Sequence, residues 1–180
     1  EAGPYQEICY GDVVTLYGFA QNAGPVYSYQ WTPNDAQSNI SNANIAVTTA
    51  TPNFTTTFTL SVTSNGCIGT DTATVKVYTR PTGSIHPPVA DICQGDVLAI
   101  DGKADGDPFG TIYSYSWTPA LGLSDANSAT PDASPTSTTD YILTVNSEHC
   151  IGYKDTLHLI VKSTPIATIQ TQDTLICGGD

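Results

Sequence analysis

Basic residues are scarce in this chain. Only 5 Lys and Arg stand against 17 Asp and Glu in 180 residues, which gives a formal net charge of −12 and a pI near 4.1. An anionic surface repels the phosphate backbone of nucleic acids, so a nucleic-acid partner is not expected. It also repels anionic lipid, and no apolar run is long enough to span a bilayer. We therefore expect no membrane insertion.

Signatures of catalysis are also missing from the sequence. It has no GxSxG, HExxH or phosphate-loop motif. His86, His149 and His158 do not stand beside a plausible nucleophile in any shared motif. No CxxC pair or cluster of His and Cys suggests zinc. These absences predict a protein that is not an enzyme and carries no cofactor.

An internal repeat dominates what the sequence does contain. The segment ICYGD at Ile8 returns as ICQGD at Ile92 and as ICGGD at Ile176, each time after 84 positions. Three further stretches match: YSYQWTP with YSYSWTP, TTFTLSV with TTDYILTV, and CIGTDTATVKV with CIGYKDTLHLIV. We predict two full units, residues 1–79 and 80–163, and the first strand region of a truncated third unit, residues 164–180. The chain is interpreted as a window from a longer protein.

Each unit consists of short alternating segments between turn residues, and helical periodicity is absent. Alternation is clearest where every second residue is apolar, as in Phe58, Leu60 and Val62, and again in Tyr141, Leu143 and Val145. Such a period of two predicts half-buried antiparallel strands. About seven short strands per unit predict an all-β fold of tandem immunoglobulin-like sandwiches. Pro81 and Pro165 stand at matching places between units and predict short, stiff linkers.

The cysteines follow the same repeat. We predict that Cys9 pairs with Cys67 and Cys93 with Cys150, because pairing within each unit treats equivalent residues equivalently. Cys177 would then open a third bridge. Each bridge is expected to close one end of its sandwich and to stabilise the unit by about 4 kcal/mol in the chain-entropy model. Disulfides at this density indicate an oxidising compartment outside the cell.

Taken in order, these motifs resemble a known family. The order AGPxQxICxGDxVTL, YxYxWTP, a TTx[FY]xLxV strand and CxGxDT covers nearly the whole chain. It resembles the PKD-like and immunoglobulin-like repeats of large adhesin-type surface proteins that gliding bacteria export by the type IX secretion route. PKD-like is the closer description, because Thr-Pro follows each Trp where true PKD domains carry FGDG.

The resemblance implies an extracellular, cell-surface location and no catalytic residues. It implies a structural or adhesive repeat module that forms a stalk or filament. The expected partners are neighbouring repeats of the same chain, with surface glycans or other copies of the chain in a fibre as further candidates. The alternative function is a carbohydrate-binding module or an accessory module of a secreted enzyme.

Aromatic residues alternate along one predicted strand of each unit. They are Tyr27, Tyr29 and Trp31 in the first unit and Tyr113, Tyr115 and Trp117 in the second. An aromatic stripe can bind sugar rings, but a sandwich core also needs a large aromatic near its middle. Because both units carry the stripe, we predict that the Trp and the middle Tyr belong to the core.

A cluster of carboxylates gives one candidate metal site. Asp101, Asp105 and Asp107 lie in the segment DGKADGD, and closely spaced Asp with Gly can wrap a calcium ion. The first unit has no such cluster, and the spacing is not that of an EF-hand. A solvated acidic loop is therefore the favoured interpretation, with calcium as its alternative.

Three threonines are candidate modification sites. Thr72, Thr156 and Thr174 each follow an Asp and precede an Ala or Leu. In the bacteria of the resembled family, this pattern is similar to an O-glycosylation sequon. Thr72 and Thr156 are expected on the outward face of an edge strand, which suits a glycan.

Overall fold

A computed structural model describes residues 2–21, 27–106 and 112–169, and all the regular elements in these ranges are β-strands. The first unit contains β1 (Gln6–Cys9), β2 (Val14–Tyr17), β3 (Tyr27–Pro33), β4 (Asn39–Ile40), β5 (Val47–Thr51), β6 (Thr56–Ser64) and β7 (Cys67–Tyr78). The second contains β8 (Thr82–His86), β9 (Val89–Cys93), β10 (Leu98–Ala99), β11 (Asp101–Asp105), β12 (Ser114–Thr118), β13 (Asp132–Ala133), β14 (Thr139–Asn146) and β15 (Ile151–Lys162). The predicted all-β class is confirmed. In the ranges described, no helix has the length and apolarity needed to cross a membrane.

Two layers of sheet build the first unit. A four-stranded sheet has the order β1-β7-β6-β3, and a three-stranded sheet has the order β2-β5-β4. Their inner faces meet in one apolar cluster, formed by Val14, Leu16, Trp31, Ala50, Phe58, Leu60 and Val75. The predicted alternation on β6 places Phe58 and Leu60 in this cluster, both almost fully buried. Burial of these side chains is the main source of stability for such a sandwich.

The second unit repeats this plan around a separate cluster. Its four-stranded sheet has the order β12-β14-β15-β9, and β8 pairs with β11 while β10 pairs with β13. The cluster consists of Ile85, Ile92, Ile100, Trp117, Ala133, Tyr141, Leu143, Val145, Leu157 and Leu159. No residue belongs to both clusters, so each set of sheets encloses its own core.

The first strand of the large sheet in each unit runs parallel to the last strand. β1 pairs with β7 from Gln6 opposite Val75 to Cys9 opposite Tyr78. β9 pairs with β15 in the same way, and Cys93 lies opposite Lys162. Purely antiparallel pairing was expected from the alternating pattern. The difference decides where the cysteines lie, because it carries the first cysteine of each unit to the end of its last strand.

Residues 164–169 follow the second unit without regular structure. Ile166 and Ile169 in this stretch are each 89% exposed. The rest of the predicted third strand region, residues 170–180, lies outside the described residues, and so does Cys177.

Candidate functional site

The aromatic stripes face inward. Trp31 and Trp117 are only 1% and 2% exposed. Their indole N–H groups donate to the backbone carbonyls of Ile45 at 3.1 Å and Ser128 at 2.9 Å. These bonds satisfy the polar atom that each buried indole carries. The prediction that both Trp residues belong to the core is confirmed.

The tyrosines of the stripe are less buried than the two tryptophans. Tyr29 packs against the first cluster, and Tyr113 and Tyr115 pack against the second, all of them half-buried. The side chain of Tyr27 lies outside the described part of the chain. The described stripe therefore supports the cores and does not form an open aromatic platform.

The candidate calcium ligands are only partly described. Asp101 and Asp105 lie four positions apart on β11, which separates their Cα atoms by about 13 Å along an extended strand. Asp101 lies 3.4 Å from the Lys103 ammonium, and Asp105 accepts the Gly106 backbone N–H at 2.7 Å. Asp107 lies outside the described residues. Within the described ranges, no three His, Cys, Asp or Glu side chains come together as a metal-binding group.

The described threonine candidates are accessible, and each lies on a strand that has neighbours on both sides over only part of its length. Thr72 and Thr156 are exposed, and the backbone N–H of each donates to the preceding aspartate at 2.8 Å. Their strands, β7 and β15, lie inside the sheets and not at an edge. The parallel partner strand pairs only from Val75 and His158 onward, so both threonines precede it. Thr174 lies outside the described residues.

The cysteines pair differently from the prediction. Cys9 of the first unit is bonded to Cys150 of the second, with an S–S distance of 2.01 Å and Cα atoms 5.9 Å apart. Cys67 and Cys93 are free and exposed. The predicted bridges Cys9–Cys67 and Cys93–Cys150 are therefore wrong, and the covalent bond lies between units.

Strand register explains the error. Cys9 lies opposite Tyr78, the last residue of β7, whereas Cys67 is the first residue of the same strand. Eleven steps along an extended strand separate these ends by about 36 Å. A disulfide requires Cα atoms about 4.4–6.8 Å apart. The repeat symmetry is satisfied equally well when the first cysteine of one unit bonds the second cysteine of the next.

The guanidinium group of Arg80 also connects the two units near this disulfide, in the region that we call the joint. Nε donates to the carbonyl of Tyr10 at 3.0 Å, Nη1 to the carbonyl of Ile151 at 2.9 Å, and Nη2 to the Asp12 carboxylate at 2.5 Å. One planar side chain from the linker therefore bonds both units, a geometry that suits arginine. Sequence analysis missed this residue. The signal was present, since Arg80 is one of only five basic residues and stands beside Pro81 in the linker.

Further contacts lie beside the bond. The Tyr78 ring stacks on the His149 imidazole, with centroids 3.8 Å apart and planes inclined by 16°. The Tyr153 backbone N–H donates to the Pro81 carbonyl at 3.0 Å. Cys150 is only 3% exposed. The joint thus combines a covalent bond, a bridging cation and a ring stack, and we take it as the candidate functional site.

Comparison with known proteins defines the fold. No family model matches the chain, and no curated protein matches it. Domains 3–5 of the extracellular part of Drosophila OTK are similar, with a TM-score of 0.51 and 13% identity over 88% of this chain and 59% of that structure. The chain has an immunoglobulin-like β-sandwich fold. At this identity the likeness concerns fold alone, and the chain spans about 59% of the OTK structure.

Two other tandem structures are similar at lower scores. The insect immune protein hemolin matches with a TM-score of 0.49 and 15% identity, over 91% of this chain and 46% of its own. The titin I-band fragment I67–I69 matches with a TM-score of 0.44 and 10% identity, over 90% and 64%. In this immunoglobulin-like tandem the described disulfide joins two sandwiches and does not cross the inside of either one.

Proposed function

We propose that the chain is a structural or adhesive repeat module in the stalk or filament of a large cell-surface protein. The observation that carries this proposal is the cross-linked joint between the two units. The Cys9–Cys150 bond and the Arg80 bridge hold two sandwiches in one relative orientation. A series of modules with fixed joints keeps its length, as a stalk must.

The chemistry of the bond supports an extracellular location. Disulfides persist in oxidising compartments and are rare in the cytosol. The OTK fragment that shares the fold belongs to the extracellular part of that protein. We extend the proposal to the adhesin-type, PKD-like repeats exported by the type IX route, on the strength of the sequence motifs.

The repeat boundaries belong to the same proposal. Residues 1–79 would form the first sandwich, 80–163 the second, and 164–180 the start of a third. The separate core clusters support the first boundary, since each cluster is built from one of these ranges. The partners of a unit would then be its neighbouring repeats, and lateral contacts with other copies or glycans are further proposals.

Carbohydrate binding is the less favoured alternative. A sugar-binding platform needs exposed, coplanar aromatic rings on one sheet. Trp31 and Trp117 are instead buried in the cores and bonded to backbone carbonyls. This placement favours a structural role for the stripe.

Shape and location can be tested separately. Small-angle scattering from the purified chain should give the dimensions of two sandwiches in one fixed orientation. A broad distribution of orientations in the oxidised chain would contradict a stalk.

On intact source cells, an antibody to the chain should bind without lysis. Binding only after lysis would contradict the surface location.

A further inference from the structure

We infer that Cys67 and Cys93 are sites of the same inter-unit disulfide, each bonded to a cysteine of another repeat unit. We call Cys9 and Cys93, which stand in ICxGD, the leading cysteines, and Cys67 and Cys150, which stand in CxG, the trailing cysteines. The observed bond joins the leading cysteine of one unit to the trailing cysteine of the following unit. Cys93 would therefore bond the trailing cysteine of another unit, and Cys67 would bond the leading cysteine of another unit.

The two free thiols lie where such bonds require them. Cys93 lies opposite Lys162 at the end of β15, as Cys9 lies opposite Tyr78 at the end of β7. Cys67 begins β7, at the opposite end of the first unit. Both thiols are exposed. The bonded cysteines occupy the joint, and the free ones occupy the two outer ends of the tandem.

The turn that holds Cys93 already has the conformation of the bonded one. The backbone N–H of Cys9 donates to the Asp12 carboxylate at 3.2 Å, and that of Cys93 donates to Asp96 at 3.1 Å. The N–H of Asp12 returns to the Cys9 carbonyl at 2.9 Å, and that of Asp96 to the Cys93 carbonyl at 3.0 Å. The glycine before each aspartate has a positive φ, 88° at Gly11 and 96° at Gly95. The backbone therefore holds Cys93 in the same turn conformation as Cys9.

The end that carries Cys67 has a groove that suits an incoming linker. Leu60, Val62, Cys67, Gly69 and Asp71 line part of a groove of about 330 Å³. This groove occupies the same place as a filled site in the second unit.

The filled site shows what fits there. In the second unit, a Cβ built on Gly83 of β8 would lie 2.8 Å from the Val145 side chain, so β8, the strand that follows the linker, packs directly on that surface. The Ile85 backbone N–H donates to Asp155 at 2.9 Å. Val145 and Asp155 correspond in the repeat to Val62 and Asp71. The Ala2 backbone N–H donates to Asp71 at 2.7 Å in the same way. The proposed occupant of the groove is therefore a strand like β8, which enters its unit directly from the linker that follows another repeat unit. That linker would bring the leading cysteine of the other unit toward Cys67.

The chemistry is an oxidation of two thiols. Each Cys93–Cys67′ bond forms with loss of two protons and two electrons, which a disulfide oxidant such as oxidised glutathione accepts as it becomes two reduced molecules. Exchange proceeds through a mixed disulfide of one thiol with the oxidant. The thiolate of the second unit then displaces the small thiol.

The test uses the 180-residue chain with Cys177→Ser, so that Cys67 and Cys93 are the free thiols, and a second copy supplies the partner unit. Oxidised glutathione should convert it to a ladder of reducible oligomers, with a Cys67–Cys93 cross-linked peptide between chains in mass spectrometry. Adding Cys67→Ser or Cys93→Ser should stop the ladder. Mixing these two variants should give a heterodimer only.

Four results would overturn the inference. They are a chain that stays monomeric with both thiols open to alkylation, a Cys67–Cys93 bond within one chain, a ladder that survives either substitution, and homodimers of either single variant. None of these results concerns cell location. Failure here would therefore leave the proposed surface function to be decided by the antibody experiment.

Discussion

Cys9 lies directly opposite Tyr78 in the parallel pairing of β1 and β7. Its bond to Cys150 is therefore formed beside the linker, at the end of the first unit and the start of the second. If the first unit unfolds, the chain from Cys9 to Tyr78 stays closed as a loop of about 70 residues. If the second unfolds, the chain from Arg80 to Cys150 is closed in the same way. One bond thus restrains the unfolded states of both units.

Removing this bond should destabilise both units. A loop of about 70 residues contributes roughly 4 kcal/mol in the chain-entropy model, so Cys9→Ser should lower the free energy of unfolding of each unit by up to about that amount. Denaturant titration followed by circular dichroism and scanning calorimetry would measure the shift. Cys93→Ser is the matched control, since Cys93 is free and exposed. A change confined to one unfolding step would contradict the shared-loop argument.

Replacing Arg80 should loosen the joint without unfolding the units. Lysine carries one ammonium in place of a planar fork, so Arg80→Lys cannot reproduce three bonds to Tyr10, Asp12 and Ile151. In a Cys9→Ser background, distances between spin labels on the two units should spread more widely for Arg80→Lys than for Arg80. Lys103→Ala is the control, because its partner Asp101 lies within the same unit on β11. Equal spreading in both variants would mean that the guanidinium does not fix the joint.

The sequence alone predicted more of the fold than of the joint between the two units. Alternation on β6 and β14 predicted the buried faces, and the repeated aromatic strand predicted the buried Trp31 and Trp117. Alternation has a period of two in parallel and antiparallel strands alike, so it could not show that β1 runs parallel to β7. Without that register, the partner of Cys9 could not be identified.

Acid should weaken the first unit through Asp35. Burial raises the pKa of Asp35, but hydrogen bonds from Ser38, Thr56 and the backbone N–H of Gln37 outweigh it and hold the pKa below its ordinary value. A carboxyl group whose pKa is lowered by folding contributes stability above its unfolded pKa, near 4, and that contribution is lost as pH falls through the folded pKa. Unfolding free energy of the first unit should therefore decline below about pH 4.

The variant Asp35→Asn should be less stable at neutral pH and should show a flatter decline in acid, because an amide does not titrate. Denaturant titrations from pH 7 to pH 2 would measure both effects. Glu148→Gln removes one negative charge from an exposed turn of the second unit and serves as the control for net charge. An unchanged acid profile in Asp35→Asn would contradict the role of this carboxylate.

Gly18 follows β2 directly and packs against core side chains of the first unit. A Cβ at Gly18 would lie 2.8 Å from the Leu60 side chain, 3.1 Å from Trp31 and 2.9 Å from the Ala46 carbonyl. The backbone cannot simply move away, because the Gly18 N–H donates to that same carbonyl at 2.8 Å. Gly18→Ala should therefore lower the unfolding free energy by about 1–3 kcal/mol, the usual cost of overpacking a core.

Gly102 repeats this contact in the second unit and makes the prediction testable twice. A Cβ there would lie 2.9 Å from both the Ala129 carbonyl and the Trp117 ring, so Gly102→Ala should destabilise the second unit by a similar amount. Gly69→Ala is the matched control, because a Cβ at Gly69 meets nothing within 4 Å and should change stability by less than about 0.5 kcal/mol. Denaturant midpoints of the three variants decide the matter. Equal losses in all three would show that strand glycines act through chain flexibility, whereas a loss confined to Gly18 and Gly102 shows that each Trp is packed directly against backbone.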